Sequence, residues 1–202
     1  MHGMPFHYFL IWRFVRTIGV VFLGLRSEPP KPVLPEGGCL LAANHKSYLD
    51  PPMISVVLFE AIHFLSKIEL FRVPVLGPLI RSLGALPVKR GAVDLRSIKI
   101  YVNALRTGRP VLIFPEGTRR PEPGFRKPRG GVAFLARMAG VPVVPIYIGG
   151  TSGWWKALIR KRRVTVRFGE PIHPGDEDEK IFSQRVMQAI AKMADPIDRN
   201  SE

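Results

Sequence analysis

The sequence predicts an α/β fold: a single domain with a mixed, mostly parallel central sheet flanked by helices. Short apolar runs suited to buried strands alternate along the chain with longer segments of helical periodicity. The run 110–114 is apolar throughout, as strands buried on both faces of a parallel sheet are. The 202 residues can bury one sizeable core but are too few for two ordinary domains.

Local patterns place the individual elements. Strands are predicted at 38–43, 62–66, 86–88, 110–114, 143–148 and 164–168. Helices are predicted at 51–59, 94–106, 131–139 and 176–193, and glycines at 108 and 140 are suited to end two of them. The prolines at 29, 30 and 32 predict a short, stiff linker, which divides an N-terminal segment, residues 1–28, from a main domain, residues 33–196.

The N-terminal segment is apolar and aromatic over residues 5–25, with Arg13 and Arg16 inside it. Only nine uncharged residues lie between Arg16 and Arg26, whereas a spanning helix needs about 20, so a full crossing is not expected. Two interpretations stay open. The segment is a core helix of the domain, or it lies in a bilayer interface with Trp12 in lipid and both arginines reaching phosphates. We favour the second.

The chain is strongly basic, with 30 Lys and Arg against 16 Asp and Glu and a net charge of +14. Such a surface attracts polyanions, among them nucleic acid, anionic headgroups, acidic carrier proteins and phosphorylated substrates. Because Cys39 is the single cysteine, no intrachain disulfide can form. The five histidines lack metal-ligand spacing, so we expect no metal site. The sequence contains no P-loop and no dinucleotide-binding glycine pattern.

Chemistry is most strongly indicated by His45 and Asp50, five residues apart between an apolar run and a predicted helix. An imidazole can accept a proton on one nitrogen while a carboxylate holds the other and stabilises the cation. A structural interpretation is also open. Asp50 precedes Pro51 and suits a helix N-cap, and His45 could be a half-buried loop histidine.

A second polar segment, 114–120, leaves the end of the predicted central strand at 110–114, where open α/β sheets usually bind ligands. Gly117 lets the backbone approach a ligand closely, Thr118 offers a hydroxyl, and Arg119 a planar fork matched to phosphate oxygens. The alternative is a turn with solvated arginines.

Four blocks occur together in one order: Asn44-His45-x-Ser47-x-x-Asp50, Gly84-x5-Arg90, Phe114-Pro115-Glu116-Gly117-Thr118-Arg119 and Val141-Pro142-Val143-Val144-Pro145. Over residues 38–172 the chain resembles the 1-acylglycerol-3-phosphate acyltransferases. The resemblance implies direct acyl transfer, in which His45, backed by Asp50, takes the proton from the acceptor's hydroxyl as it attacks an acyl thioester.

The resemblance also assigns a binding set around this pair: Asn44, Ser47, Arg90, Glu116, Gly117, Thr118, Arg119 and Arg129. Gly117, Thr118 and Arg119 would bind the acceptor's phosphate, and Glu116 would support them, for example by bonding Arg119. Arg90 would be a second phosphate ligand, although Lys89 stands where the family has an acidic residue. Arg129 stands where a lysine is usual. No side chain is assigned as the oxyanion donor; the candidates are a backbone N–H near Lys46 and one at the helix start near Pro51.

The implied partners are an anionic membrane surface, a lysophospholipid, and a thioester of coenzyme A or acyl carrier protein, with no further cofactor. Trp154 and Trp155 beside the basic cluster 160–163 suit the headgroup layer, so we predict a peripheral or monotopic protein on the cytoplasmic face of a membrane. A solvated charged loop is the alternative for this segment. The main rival from another class is a nucleic-acid-binding module, although we expect no nucleic acid partner; a non-catalytic lipid binder and another lysolipid acceptor also remain rival functions.

Overall fold

A seven-stranded sheet forms the centre of the computed structural model, which describes residues 6–58, 62–88, 95–120, 123–152 and 163–196. The strands are β1 Arg26–Glu28, β2 Leu40–Ala43, β3 His63–Lys67, β4 Ala85–Val88, β5 Val111–Ile113, β6 Val143–Gly149 and β7 Thr165–Phe168. Their order across the sheet is β1-β7-β6-β2-β5-β3-β4. Strands β6, β2, β5, β3 and β4 are parallel, whereas β7 is antiparallel to β6 and carries β1 alongside. The predicted fold class is confirmed.

Helices cover both faces of the sheet. They are α1 Phe6–Leu23, α2 Asp50–Val57, α3 Leu76–Ser82, α4 Leu95–Arg106, α5 Gly131–Ala139 and α6 Glu179–Lys192, with a short 3-10 helix at Ile68–Arg72. Because side chains alternate along a strand, Leu41 and Ala43 pack with α1, α2 and α3, whereas Leu40 and Ala42 pack with α4, α5 and α6. The core therefore has two layers, one on each face of the sheet.

Three elements were not predicted from the sequence, and each lacks the signal that prediction needs. Strand β1 is a short polar edge strand, Arg-Ser-Glu, with no apolar run. The 3-10 helix has no buried residue, and α3 contains Gly77 and Pro78, which disfavour helix on propensity alone. The predicted strands and helices are present, with ends that differ by up to three residues.

Helix α1 packs on α2 and is part of the same core. The Trp12 side chain is 6% exposed, and its indole N–H donates to the Leu58 carbonyl. The Arg16 guanidinium donates to the Val56 carbonyl and lies 5.4 Å from the Trp12 ring centre. The prediction that Trp12 contacts lipid is therefore wrong, and Arg16 is held against α2. Since β1 also joins the sheet, the segment 1–28 supplies a strand and core residues to the domain predicted at 33–196.

Outside its contact with α2, helix α1 exposes the apolar residues Leu10, Phe14, Ile18, Val20, Val21 and Phe22, with Arg13 also exposed. Among the described residues, no helix combines the length and the apolar character needed to cross a membrane. The predicted membrane residues Trp154 and Trp155 lie outside the described residues.

Candidate active site

Two neighbouring parallel strands, β2 and β5, lead into the site from their carboxyl ends. Strand β2 continues into residues 44–50, called here the His45 turn. Strand β5 continues into residues 116–129, called here the arginine loop, described except for 121–122. Because the strands are parallel and adjacent, both segments lie at one edge of the sheet, where open α/β folds usually bind ligands.

The carboxylate of Asp50 organises the His45 turn. Its Oδ2 accepts hydrogen bonds from His45 Nδ1 at 2.8 Å, from the Lys46 N–H at 2.6 Å and from the Ser47 N–H at 2.8 Å. Asp50 is fully buried, and it is the first residue of α2 rather than its N-cap, a position taken by Leu49. The N-cap interpretation is therefore wrong, and the carboxylate serves the turn and the imidazole together.

The orientation of the His45 ring is fixed from two sides. An ionised carboxylate can only accept, so Nδ1 carries the proton that is donated to Asp50, and the lone pair is on Nε2. The ring also stacks on Phe114, with centroids 3.9 Å apart and planes 16° apart. The side chain is 13% exposed. Nε2 is thus the nitrogen left to take a proton from a bound molecule.

Glu116 ties the arginine loop to the His45 turn. Its side chain is 3% exposed, and Oε1 accepts from the His45 N–H at 3.0 Å while Oε2 accepts from the Arg126 N–H at 2.9 Å. The Arg120 N–H donates to the His45 carbonyl at 2.8 Å. The suggested bond from Glu116 to Arg119 is replaced by these contacts. Glu116 supports the site by holding the backbone of His45.

Lys46 makes a second tie between the two segments, one that sequence reasoning missed. It is 3% exposed, its Nζ donates to the Gly124 carbonyl at 2.8 Å, and it lies 5.5 Å from the Phe125 ring centre. A lysine between two polar loop residues gives no local signal of burial. Its partner is 78 positions away in the chain, so only the folded arrangement reveals the contact.

The amide of Asn44 is used by the sheet. Asn44 is fully buried, its Nδ2 donates to the Ile148 carbonyl at 2.9 Å, and its Oδ1 accepts from the Ile148 N–H at 2.8 Å. The prediction that Asn44 binds substrate is therefore wrong, because both polar ends bind the backbone of β6. Ser47 also has a loop role, since its hydroxyl accepts from the Leu49 N–H at 3.2 Å.

The remaining predicted binding residues gather beside the turn. The Arg119 guanidinium carbon lies 3.4 Å from the ring centre of Tyr48. Gly117 has φ of +69°, and a Cβ there would lie 2.9 Å from Cδ and Nε of Arg129, so that side chain crosses the glycine closely. The Thr118 hydroxyl is buried and has no hydrogen-bond partner among the described residues. Arg90 lies outside the described residues.

Several of the backbone groups suggested for an oxyanion donor are already used or have no N–H. The Lys46 N–H already donates to Asp50, and so does its neighbour at Ser47. At the start of α2, Pro51 and Pro52 have no N–H to offer. Among the described residues, no group of three His, Cys, Asp or Glu side chains is placed to hold a metal ion.

Comparison with known proteins identifies the arrangement. The model of the family described as Acyltransferase matches residues 25–149, which include the whole His45 turn and the arginine loop. The chain belongs to the Acyltransferase family. The resemblance drawn from the four sequence blocks is thereby confirmed, and the protein is an acyltransferase.

Individual relatives agree with this membership. The acyltransferase is 36% identical over 143 residues to a Bacillus subtilis protein named 1-acyl-sn-glycerol-3-phosphate acyltransferase, covering 70% of each chain. It is 36% identical over 115 residues to the Pseudomonas aeruginosa lyso-ornithine lipid O-acyltransferase, covering 56% of this chain and 44% of that one. The crystal structure of the 1-acyl-sn-glycerophosphate acyltransferase from Thermotoga maritima has the same fold, with a TM-score of 0.72 and 24% identity. The match covers 94% of this chain and 80% of that one.

Proposed function

We propose that this acyltransferase moves a fatty acyl group from an acyl thioester to the free hydroxyl of a lysophosphatidate-type acceptor, giving phosphatidate. The observation that carries the proposal is the oriented His45–Asp50 pair with a free Nε2, beside a loop that presents Arg119 and Arg129. Such a site suits a substrate with a hydroxyl and a phosphate in one molecule. The name of the B. subtilis relative supports the same acceptor, and phospholipid synthesis is the implied pathway class.

The chemical step is a direct transfer. His45 Nε2 takes the proton as the acceptor's oxygen attacks the thioester carbonyl; a C–O bond forms, the C–S bond breaks, and the imidazolium returns the proton to the leaving sulfur. Asp50 stabilises the cation that forms on the ring. General-base help of this kind contributes about 10² to 10⁴ in rate. Ser47 is not needed as a nucleophile, because its hydroxyl serves the turn.

Binding of the phosphate falls to the arginine loop. Arg119 has a planar guanidinium that can bind two phosphate oxygens, Arg129 adds a second cation, and the buried Thr118 hydroxyl can donate to an oxygen. Arg90 remains a proposed further ligand. Holding the phosphate places the hydroxyl near Nε2, and such positioning can contribute as much as the base itself.

The co-substrate is proposed to be a thioester of coenzyme A or acyl carrier protein, with no additional cofactor. The reaction is complete with the two substrates, since the thiol is the leaving group and His45 handles the proton. The net charge of +14 suits either donor, because coenzyme A is phosphorylated and the carrier protein is acidic.

We further propose that the protein binds the cytoplasmic face of an anionic membrane through the exposed apolar side of α1. Gly19 of α1 lies beside Met53 near the start of α2, whereas Trp12 contacts Leu58 beyond its end. Helix α1 therefore runs antiparallel to α2, with its carboxyl end toward the edge that carries His45. Phe14, midway along α1, and Phe22, near its carboxyl end, are 66% and 55% exposed. Trp154 and Trp155 stay proposed contacts.

One assay tests the catalytic proposal. Purified protein is given an acyl thioester with either lysophosphatidate or lyso-ornithine lipid, as wild type, His45→Ala and Arg119→Ala. We expect phosphatidate from wild type, a rate lower by about 10² to 10⁴ for His45→Ala, and a raised KM for lysophosphatidate with Arg119→Ala. A preference for lyso-ornithine lipid would replace the proposed acceptor, and an undiminished rate in His45→Ala would remove the mechanism.

Vesicle sedimentation tests the membrane proposal. The double variant Phe14→Ser, Phe22→Ser should release the protein from anionic vesicles, because it removes exposed aromatic area without touching the core. Ile181→Ser is the matched control, since Ile181 is 56% exposed on α6, on the other face of the sheet. Equal release by the control variant would count against a role for α1.

A further inference from the structure

Tyr48 lies where the His45 turn meets the arginine loop. It follows His45 by three positions and precedes α2 by two, and its side chain is 65% exposed. The guanidinium carbon of Arg119 lies 3.4 Å from the centre of its ring. This distance is that of face-on stacking between the planar cation and the aromatic ring. None of the four sequence blocks marks Tyr48, which occupies an unassigned position in the first block.

The stacking leaves the binding edge of Arg119 free. A guanidinium donates its hydrogen bonds in its own plane, so a ring against one flat face does not block the fork that binds phosphate. Among the described residues, no carboxylate forms an ion pair with Arg119. The aromatic contact is therefore what orients this side chain in the described part of the chain.

The turn that carries Tyr48 is itself fixed. Asp50 binds the N–H groups of Lys46 and Ser47, and Glu116 binds the N–H of His45. By stacking on Tyr48, the Arg119 guanidinium is therefore held by the same rigid turn that orients the general base. The hydroxyl and the phosphate of one small acceptor are only a few bonds apart, so the general base and the guanidinium that bind them must keep a defined separation.

We propose that Tyr48 is a positioning residue for the acceptor's phosphate: its ring orders Arg119 before the acceptor binds. The inference rests on the proposed function, because it presumes an acceptor that carries a phosphate. Ordering a long, partly exposed side chain in advance lowers the entropy lost on binding, so losing that order should weaken the acceptor's binding more than it slows the chemical step.

The test compares Tyr48→Leu with Tyr48→Phe, each in the wild-type and the Arg119→Ala background. The readouts are kcat, the KM for lysophosphatidate and the KM for the acyl thioester. We expect Tyr48→Leu to raise the KM for lysophosphatidate about three- to tenfold, with smaller changes in kcat and in the thioester KM. Tyr48→Phe should restore most of the wild-type KM, because it keeps the ring. In the Arg119→Ala background, Tyr48→Leu should add little.

Three results would overturn this role for Tyr48. One is a fall in kcat with an unchanged acceptor KM in Tyr48→Leu, which would make Tyr48 part of the turn's own structure. Another is independent, multiplicative effects of Tyr48→Leu and Arg119→Ala. The third is a Tyr48→Phe variant as defective as Tyr48→Leu, which would assign the role to the hydroxyl. Thermal unfolding of each variant checks the fold, and absence of phosphatidate from wild type would instead overturn the proposed function itself.

Discussion

The His45 turn and the arginine loop lie side by side but are built in opposite ways. In the turn, Asn44, Lys46 and Asp50 are buried, and each binds backbone groups of the protein. In the arginine loop, the side chains of Arg126 and Arg129 are exposed and that of Arg119 is partly exposed, resting on an aromatic ring. The polar groups of the turn bind the protein's own backbone and fix its conformation, whereas the cations of the loop lie near the surface.

This difference matches two different demands. A proton acceptor must be held within hydrogen-bond reach and in one tautomer, so its supports must be rigid. Of the loop's cations, Arg119 is held on the Tyr48 ring, whereas the exposed Arg129 can adapt as the ligand arrives, because Coulomb attraction survives small displacements. Glu116 belongs to the loop in sequence but to the turn in structure, since its buried carboxylate holds the His45 backbone.

The largest effect is expected from changing Asp50. Asp50→Asn keeps an oxygen for the Lys46 and Ser47 N–H groups but removes the charge that stabilises the imidazolium, so kcat should fall by about 10² to 10⁴ with little loss of stability. Asp50→Ala removes the acceptor as well and leaves these buried N–H groups unpaired. It should also lower the free energy of unfolding by about 1–3 kcal/mol for each.

Steady-state rates and urea unfolding measure the two effects separately. Asp195→Asn is the matched control, because Asp195 binds Arg167 in a separate ion cluster with Glu28. Burial lowers the pKa of Arg167, but its hydrogen bonds to Asp195 and Glu28 outweigh burial and raise that pKa. The control should alter stability without a comparable loss of kcat. A fully active Asp50→Asn enzyme would contradict the assigned role of the carboxylate.

A smaller effect, and one on stability alone, is expected from Asn44→Ala. The substitution leaves the N–H and the carbonyl of Ile148 unpaired in the core, so the free energy of unfolding should fall by about 2–4 kcal/mol. At temperatures where the variant is folded, the KM for the acceptor should not change. Asn103→Ala, at an exposed position of α4, is the control and should stay within about 0.5 kcal/mol of wild type. A raised KM in Asn44→Ala would return Asn44 to substrate binding.

The sequence predicts every strand of the sheet except β1, because the other strands contain short apolar runs between turn residues, whereas β1 is polar. It also predicts that His45 and Asp50 pair, since five positions across a turn keep them close. Bonds between distant segments are different. The partners of Asn44, Lys46 and Glu116 lie 104, 78 and 71 positions away, and nothing local distinguishes a buried, bonded side chain from one that faces substrate.

Helix α1 shows the same limit on a larger scale. Its composition correctly indicates an apolar helix, but composition does not say which side faces the protein. Composition predicts Trp12 in lipid because aromatic rings favour the bilayer interface, yet the Leu58 carbonyl offers its indole N–H a partner within the core. The exposed side is set by the packing of α1 on α2, a contact between elements some 40 residues apart.

The smallest effect is expected from Arg129, and it distinguishes local contact from general charge. Arg129→Ala should raise the KM for lysophosphatidate about three- to tenfold, because one exposed, screened cation contributes modestly to phosphate binding. Lys127→Ala removes an equal charge from an exposed position on the same loop, and its KM should stay within about twofold of wild type.

Arg129→Lys keeps the cation and should recover most of the affinity. Raising the salt concentration should shrink the difference between Arg129→Ala and wild type, since screening weakens the Arg129–phosphate attraction that wild type has and the variant lacks. Equal KM values for Arg129→Ala and Lys127→Ala would mean that the loop acts only through its total charge, and the contrast between a rigid turn and specific, adaptable cations would not hold.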